Sequence, residues 1–282
     1  LDMNQAALKH GMELIEHDLA TFEENGLIKG NQKADILARI VPTIDYSDAL
    51  ADADFVIESV VEKLAVKKTV WQKVEHYVSE DASMATNTSG LSPTAIQADL
   101  KRPENLVVTH FWNPAQLMPL VEVVPGEQTS EVTVKTATAL MNHIGKHAVA
   151  LKKESLGFVG NRIQMAVLRE AFKIVDDGIA SPEAVDDIIK YSLGRRWSLV
   201  GPIASADLGG LDIFENISSY LYDDLANNTG TDPVLKKLVD AGNLGLKSGQ
   251  GFYNWEGDMG KEAIAHRDQA LLQLLVEDQK KR

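Results

Sequence analysis

The stretch Leu106-Val107-Val108-Thr109-His110-Phe111-Trp112-Asn113-Pro114 most narrows the folds open to this chain. An apolar, β-rich run ends in a histidine, and an Asn-Pro turn signal stops it. A second run, Leu120-Val121-Glu122-Val123-Val124, follows shortly and carries one carboxylate in its middle. Strands this apolar are expected in a parallel sheet covered on both faces. A buried, ionised glutamate is costly unless it is paired and hydrogen-bonded. Its nearest expected partner is His110, at the end of the preceding strand. A carboxylate on one imidazole nitrogen fixes the tautomer and leaves the other nitrogen free as a base. The plain alternative is a satisfied core histidine beside a polar-faced strand.

The rest of the first half decides between these readings. Ala6 to Glu24 is expected as a helix, with Leu8, Met12, Ile15, Leu19 and Phe22 near the helical period and an acidic exposed side. A shorter helix is expected from Lys33 to Ile40. Ile44 to Tyr46 and Phe55 to Ile57 read as short strands, and Leu64 to Val78 as a helix. Met84 to Gly90 reads as a strand running into a polar turn. Val132 to Ile144 reads as a helix and His147 to Leu151 as a strand. Strands alternating with helices imply a parallel α/β sheet. Ligands of such sheets bind outside the carboxyl ends of the strands. Glu58 and Glu62, Asn87 to Ser89, and His110 to Asn113 each directly follow an apolar run. The convergence of three polar strand ends favours a catalytic His110 over a core one.

After Leu151 the alternation stops. Gly157 to Arg162 opens a long amphipathic helix to Asp177, capped by Gly178. Ser181-Pro182 starts another, with Ser as N-cap and Pro at the first helical position. Ser205 to Leu225, Asp232 to Ala241 and Lys261 to Lys280 are expected as further helices around a tight turn at Gly249 to Tyr253. The expected organisation is an α/β domain over 1–153 and an all-helical domain over 154–282. Gly245-Leu246-Lys247-Ser248-Gly249 faintly suggests a phosphate loop, but its Lys does not follow the Gly directly and no strand precedes it.

Composition bounds the partners. The 282 residues, 44% hydrophobic, suffice for a large core or two domains. A net charge of −13 argues against nucleic acid and anionic membrane surfaces. With no cysteine, disulfides and thiolate zinc sites are excluded. No apolar run approaches the ~20 residues of a membrane span. No metal is expected, and a cytoplasmic location is.

At these residues the sequence resembles the L-3-hydroxyacyl-CoA dehydrogenase family, including its gulonate 3-dehydrogenase (lambda-crystallin) branch. The resemblance rests on Glu58 to Glu62, Asn87-Thr88-Ser89, His110 to Pro114, Leu120 to Val123, Gly157 to Arg162 and Lys247 to Tyr253, in that order and spacing. It implies a Rossmann-like NAD-binding domain followed by a helical domain carrying a homodimer contact. It gives His110 as the base that takes the substrate hydroxyl proton and Glu122 as the group orienting it. Ser89 and Asn161 would hold substrate oxygens, and Glu62, Lys67, Asn113 and Lys247 would contact NAD. Taken alone, Asn161 reads as a helix N-cap and Lys247 as a solvated turn lysine.

Two departures from the family pattern stand out. The GxGxxG loop that should grip the pyrophosphate is absent, with its strand and helix. The opening Leu1 to Gln5 reads as a strand exit and helix cap, so an upstream piece is expected to be missing, and the chain as given is expected to bind NAD poorly. The first helix also lacks basic or hydroxyl residues where the acyl-CoA enzymes place CoA contacts. Gly194-Arg195-Arg196-Trp197, in contrast, resembles the gulonate branch, and an arginine at Arg196 suits a carboxylate substrate; otherwise it is part of a surface pair on a loop. The expectation is NAD-dependent oxidation or reduction of an L-3-hydroxyacyl-CoA of the 3-hydroxybutyryl-CoA type. The alternatives are a free 3-hydroxy acid as substrate, or a non-catalytic crystallin-like protein.

Overall fold

The computed structural model describes residues 1–280. They fall into two compact units: residues from Leu1 to Asn161 with the chain from His266 onward, and Arg162 to Ala265.

In the first unit, α1 (Gln5–Glu24) starts at Asn4, whose side chain accepts from the Ala7 N–H. Next come α2 (Gln32–Ala38) and α3 (Tyr46–Leu50). The strand expected at Ile44 to Tyr46 does not form. Asp45 instead accepts the N–H groups of Ser47 and Asp48 and caps α3, so local capping overrides a short apolar signal. Then follow β1 (Phe55–Glu58), α4 (Leu64–Tyr77), β2 (Ser83–Thr86), α5 (Pro93–Gln97), β3 (Leu106–Phe111), β4 (Leu120–Pro125), α6 (Glu131–His143) and β5 (His147–Ala150).

The sheet runs β1-β2-β3-β4-β5 and is parallel except for one pair. β3 and β4 are antiparallel, with His110 directly opposite Glu122. The eight residues between them, 112–119, are too few for the crossover a parallel pair needs, roughly a dozen or more.

Side chains alternate across the sheet. Met84 and Leu106 pack with Trp71, Val74 and Ile96 from α4 and α5 on one face. Ala85, Val107, Val121 and Val123 pack with Ala137 and Met141 of α6 on the other. Val108 and Val124 extend the first face and meet Phe158. His110 and Glu122, two residues along from that pair, share their face, so the apolar layer ends where the polar pair begins.

The second unit is helical. It comprises α7 (Gly160–Asp176) from its third residue, α8 (Pro182–Tyr191), α9 (Leu193–Val200), α10 (Pro202–Gly209), α11 (Leu211–Leu221), α12 (Pro233–Asp240) and the start of α13 (Met259–Lys280). Gly178 ends α7 in the left-handed conformation, and Ser181 caps α8 with Pro182 behind it, as expected. The single helix expected over Ser205 to Leu225 is broken into α10 and α11, because Gly210 turns the chain at φ 92°. Arg195 and Arg196 lie on α9 and not on a loop. Among the described residues, no helix is long and apolar enough to cross a membrane.

Candidate active site

The centre of the site is the buried pair at the end of β3. His110 Nδ1 lies 3.0 Å from Glu122 Oε2. An ionised carboxylate only accepts, so Nδ1 carries a proton; in the neutral imidazole Nε2 is then the nitrogen with the lone pair. Trp112 and Phe158 flank the imidazole, with ring centroids 5.4 and 5.7 Å away.

Glu122 is held by four donors. Oε2 also accepts from the Trp112 indole N–H at 3.3 Å, and Oε1 accepts the backbone N–H groups of Val159 and Gly160 at 3.0 and 3.1 Å. Burial pushes this carboxyl up, but His110, the two backbone groups and Trp112 overcome it and hold the group below the usual carboxylate range. Glu122 is therefore an anion at neutral pH and a fixed orienting group for His110.

The two backbone donors come from an unusual turn. Gly157 and Phe158 both sit at positive φ, 73° and 53°. For a bulky residue such a φ is strained and persists only where its surroundings demand it. Here Phe158 is 1% exposed, and the Ser155–Phe158 turn is closed by the Phe158 N–H donating to Ser155 O. A Cβ on Gly160 would lie 2.2 Å from Trp112 Cζ2, so only glycine lets backbone and indole approach Glu122 together.

A second polar network organises the ends of β1 and β2. Lys67 Nζ is 2.6 Å from Glu58 Oε1, and both side chains are buried. The Thr86 hydroxyl donates to Glu58 Oε2, and Val60 N–H to Oε1. Lys67 also lies 3.4 Å from Glu62 Oε2. Glu62 Oε1 takes the Thr88 hydroxyl and the Ser89 N–H. Burial raises Glu62, but Thr88, Ser89 and Lys67 together bring it below the ordinary value. Asn161 Nδ2 then donates to Ser89 O at 2.9 Å, so its side chain ties down the serine turn and does not cap α7. Asn87 Oδ1 accepts the Phe111 N–H, stitching that turn to the histidine strand.

The structure thus brings together His110, Glu122, Ser89, Asn161, Glu62 and Lys67. Ser89 and Asn113 are exposed, Asn113 in the β3–β4 connection ahead of a cis Pro114. Lys67, expected as a cofactor contact, is 1% exposed and engaged with two carboxylates, Glu58 and Glu62. Arg196 and Lys247 are exposed residues of the helical unit. Lys247 borders a cavity of about 570 Å³ whose wall includes Phe172 and Phe252, stacked at 5.3 Å.

Sequence reasoning did not find Trp112 as a donor to Glu122, Thr88 as a donor to Glu62, or the Val159–Gly160 backbone. The Gly157 and Gly160 positions were the available signal for a close backbone approach.

The polar residues at these strand ends suit a dinucleotide, although the Gly-rich loop for its pyrophosphate is not among the residues of this chain. Exposed Asn113 and the partly exposed carboxylate of Glu62 stand beside the ends of parallel strands, where α/β sheets bind such ligands.

Comparisons with known proteins agree. Residues 1–155 match the family described as 3-hydroxyacyl-CoA dehydrogenase, NAD binding domain, and residues 157–255 match its C-terminal domain. A 3-hydroxybutyryl-CoA dehydrogenase of Clostridioides difficile is 39% identical over 89% of this chain and 88% of its own. A 5-formyl-3-hydroxy-2-methylpyridine 4-carboxylate 5-dehydrogenase of Mesorhizobium japonicum is 36% identical over 82% of this chain and 74% of its own. Among solved structures, a 5-formyl-3-hydroxy-2-methylpyridine 4-carboxylic acid 5-dehydrogenase superposes with a TM-score of 0.88 at 32% identity, covering 97% of this chain and 87% of that one. An (S)-3-hydroxybutyryl-CoA dehydrogenase from Ralstonia eutropha gives 0.75 at 34% identity, covering 91% and 89%.

Proposed function

The chain belongs to the 3-hydroxyacyl-CoA dehydrogenase family of NAD-dependent oxidoreductases, and from that premise we propose that it oxidises an L-3-hydroxyacyl-CoA of the 3-hydroxybutyryl-CoA type. The observation that carries this reading is the His110–Glu122 pair, with a free Nε2, across β3 and β4, with Ser89 in the turn that follows the neighbouring strand β2. His110 Nε2 takes the substrate hydroxyl proton, and Glu122 stabilises the imidazolium that results. Ser89 and the remaining hydrogen-bonding capacity of Asn161 hold the substrate oxygens. Glu62, Asn113 and Lys247 hold NAD, which when bound supplies the hydride acceptor. The intact set of Ser89, His110, Glu122 and Asn161 argues against the non-catalytic, crystallin-like alternative, since a purely structural role needs none of them.

A second reading has its own support. The 0.88 superposition is with a dehydrogenase whose named substrate is a pyridine carboxylate, and L-carnitine dehydrogenases are 35–38% identical to this chain over 70–74% of it. On this reading the substrate is a free hydroxy acid, and Arg196 pairs with its carboxylate.

NADH formation with (S)-3-hydroxybutyryl-CoA and with free 3-hydroxy acids, in wild type and Arg196→Met, separates the two. On the acyl-CoA reading the thioester is turned over and Arg196→Met leaves its rate unchanged. A loss of ~1.5–3 kcal/mol in kcat/KM for an acid alone supports the carboxylate reading.

The same proposal includes a homodimer. The chain's helical unit exposes Ile188, Tyr191, Leu199, Ile203, Leu208 and Leu211, which a second copy would cover. Light scattering that gives a monomer mass at micromolar concentration would dismiss this.

A further inference from the structure

Thr88 has no part in the reaction as described, yet it is fully buried and its hydroxyl is a hub. It donates to Glu62 Oε1 in a short hydrogen bond, and it accepts the Leu91 N–H at 3.0 Å and the Gly90 N–H at 3.4 Å. The next residue is Ser89. Its N–H donates to the same Glu62 oxygen at 2.9 Å, while its hydroxyl stands 3.4 Å from that oxygen. Good O–H···O bonds are roughly 2.5–3.0 Å long, so the Ser89 hydroxyl makes only a long, weak bond to Glu62.

We propose that Thr88 is a positioning residue for Ser89: by occupying Glu62 Oε1 with a shorter bond it keeps the Ser89 hydroxyl from closing onto that carboxylate and leaves it available to substrate. The proposal rests on Ser89 being a substrate contact. A carboxylate oxygen that loses its shortest donor is open to another within reach, and Ser89 Oγ already stands 3.4 Å from it. The serine is then turned to Glu62 and withdrawn from the substrate oxygen. Asn161 cannot prevent this, because it holds the Ser89 backbone carbonyl and not the hydroxyl.

The test is a double-mutant cycle with kcat/KM for the hydroxy substrate as readout. Thr88→Val should lower it about tenfold, the size of one lost hydrogen bond. Thr88→Ser should stay within about twofold of wild type. In a Ser89→Ala background Thr88→Val should cost less than about twofold, because no hydroxyl is left to misdirect. Equal losses in both backgrounds would overturn the proposal and leave Thr88 a packing residue. If Thr88→Val does not fold, Thr88→Ala, which puts no new methyl against Glu62, carries the same cycle. Crystal structures give a readout independent of turnover. In the variant, Ser89 Oγ should close from 3.4 Å to about 2.7 Å from Glu62 Oε1. A Ser89 hydroxyl that does not move overturns the proposal, whereas wild type that oxidises no hydroxy compound with NAD overturns the functional reading alone.

Discussion

Glu122 divides its two oxygens between side chains and backbone. His110 Nδ1 stands 3.0 Å from Oε2, while Oε1 is taken by the Val159 and Gly160 N–H groups. The histidine therefore leans on a carboxylate that cannot swing away. An orienting group fixed from behind keeps Nε2 aimed without further reorganisation in the reaction.

The first expectation concerns the base itself. His110→Ala should lower kcat by ~10²–10⁴, the usual contribution of a positioned general base. NAD affinity, measured by titration calorimetry, should barely change. A variant within about threefold of wild type would remove His110 from the mechanism.

Glu122 should act only through His110. Glu122→Gln should lower kcat, and adding it to His110→Ala should cost little more, since residues acting as a unit are not additive. Its charge also makes a pH prediction. The donors around Glu122 hold it below the ordinary carboxylate range in the folded protein. A group with a depressed native pKa contributes stability that is present above its unfolded value and lost as pH falls through the native one. Thermal melts should therefore show wild type losing stability on acidification below about pH 5, and Glu122→Gln losing less over the same interval. Parallel curves would mean that Glu122 is not the charged hub of the site.

Gly160 should tolerate no side chain. The 2.2 Å approach of a Cβ to Trp112 Cζ2 forces either the indole or the backbone to move. Gly160→Ala should cost ~1–3 kcal/mol in denaturant unfolding, the range for overpacking. Combining it with Trp112→Phe, which frees space at the same point, should recover part of the loss. If Gly160→Ala unfolds at the same denaturant concentration as wild type, the two residues are not in this contact.

Lys146 should pin the β3–β4 connection. Its Nζ donates to Ala115 O at 2.5 Å and Met118 O at 3.0 Å, and burial lowers its pKa. Lys146→Met keeps the stem and removes both donations. It should destabilise the chain by ~1–3 kcal/mol and raise KM for NAD, because Asn113 lies in the same connection. An unchanged KM with reduced stability would confine Lys146 to a structural role.

How legible the site was depends on which interactions have a sequence signature. A glutamate inside an apolar strand demands a partner, and His110 is the nearest candidate, so the central pair could be read directly. The ends of β1 and β2 were readable in the same way, as polar residues following apolar runs. The antiparallel sense of β4 was not read, because strongly apolar strands suggest parallel neighbours; the short 112–119 connection held the opposite information. Thr88 and Trp112 stayed hidden, since a buried threonine and a flanking aromatic both read as packing. The Val159–Gly160 donors depend on Phe158 entering a left-handed conformation. Nothing in a phenylalanine signals that; only the surrounding contacts impose it.

The cross-strand pairing of His110 with Glu122 also governs how this segment tolerates changes in length. Side chains alternate between faces, so a slip of one residue would bring Thr109 or Val123 to the position of a reacting group. A single residue inserted within β3 or β4 should abolish activity even where the sheet still forms. An insertion near exposed Gln116, in the connection, leaves both strands in place. Insertion scanning should therefore find length variation absent from 106–111 and 120–125 and concentrated between them. Over geological time the same rule would let descendants reshape the β3–β4 connection while the His110–Glu122 pair stayed fixed.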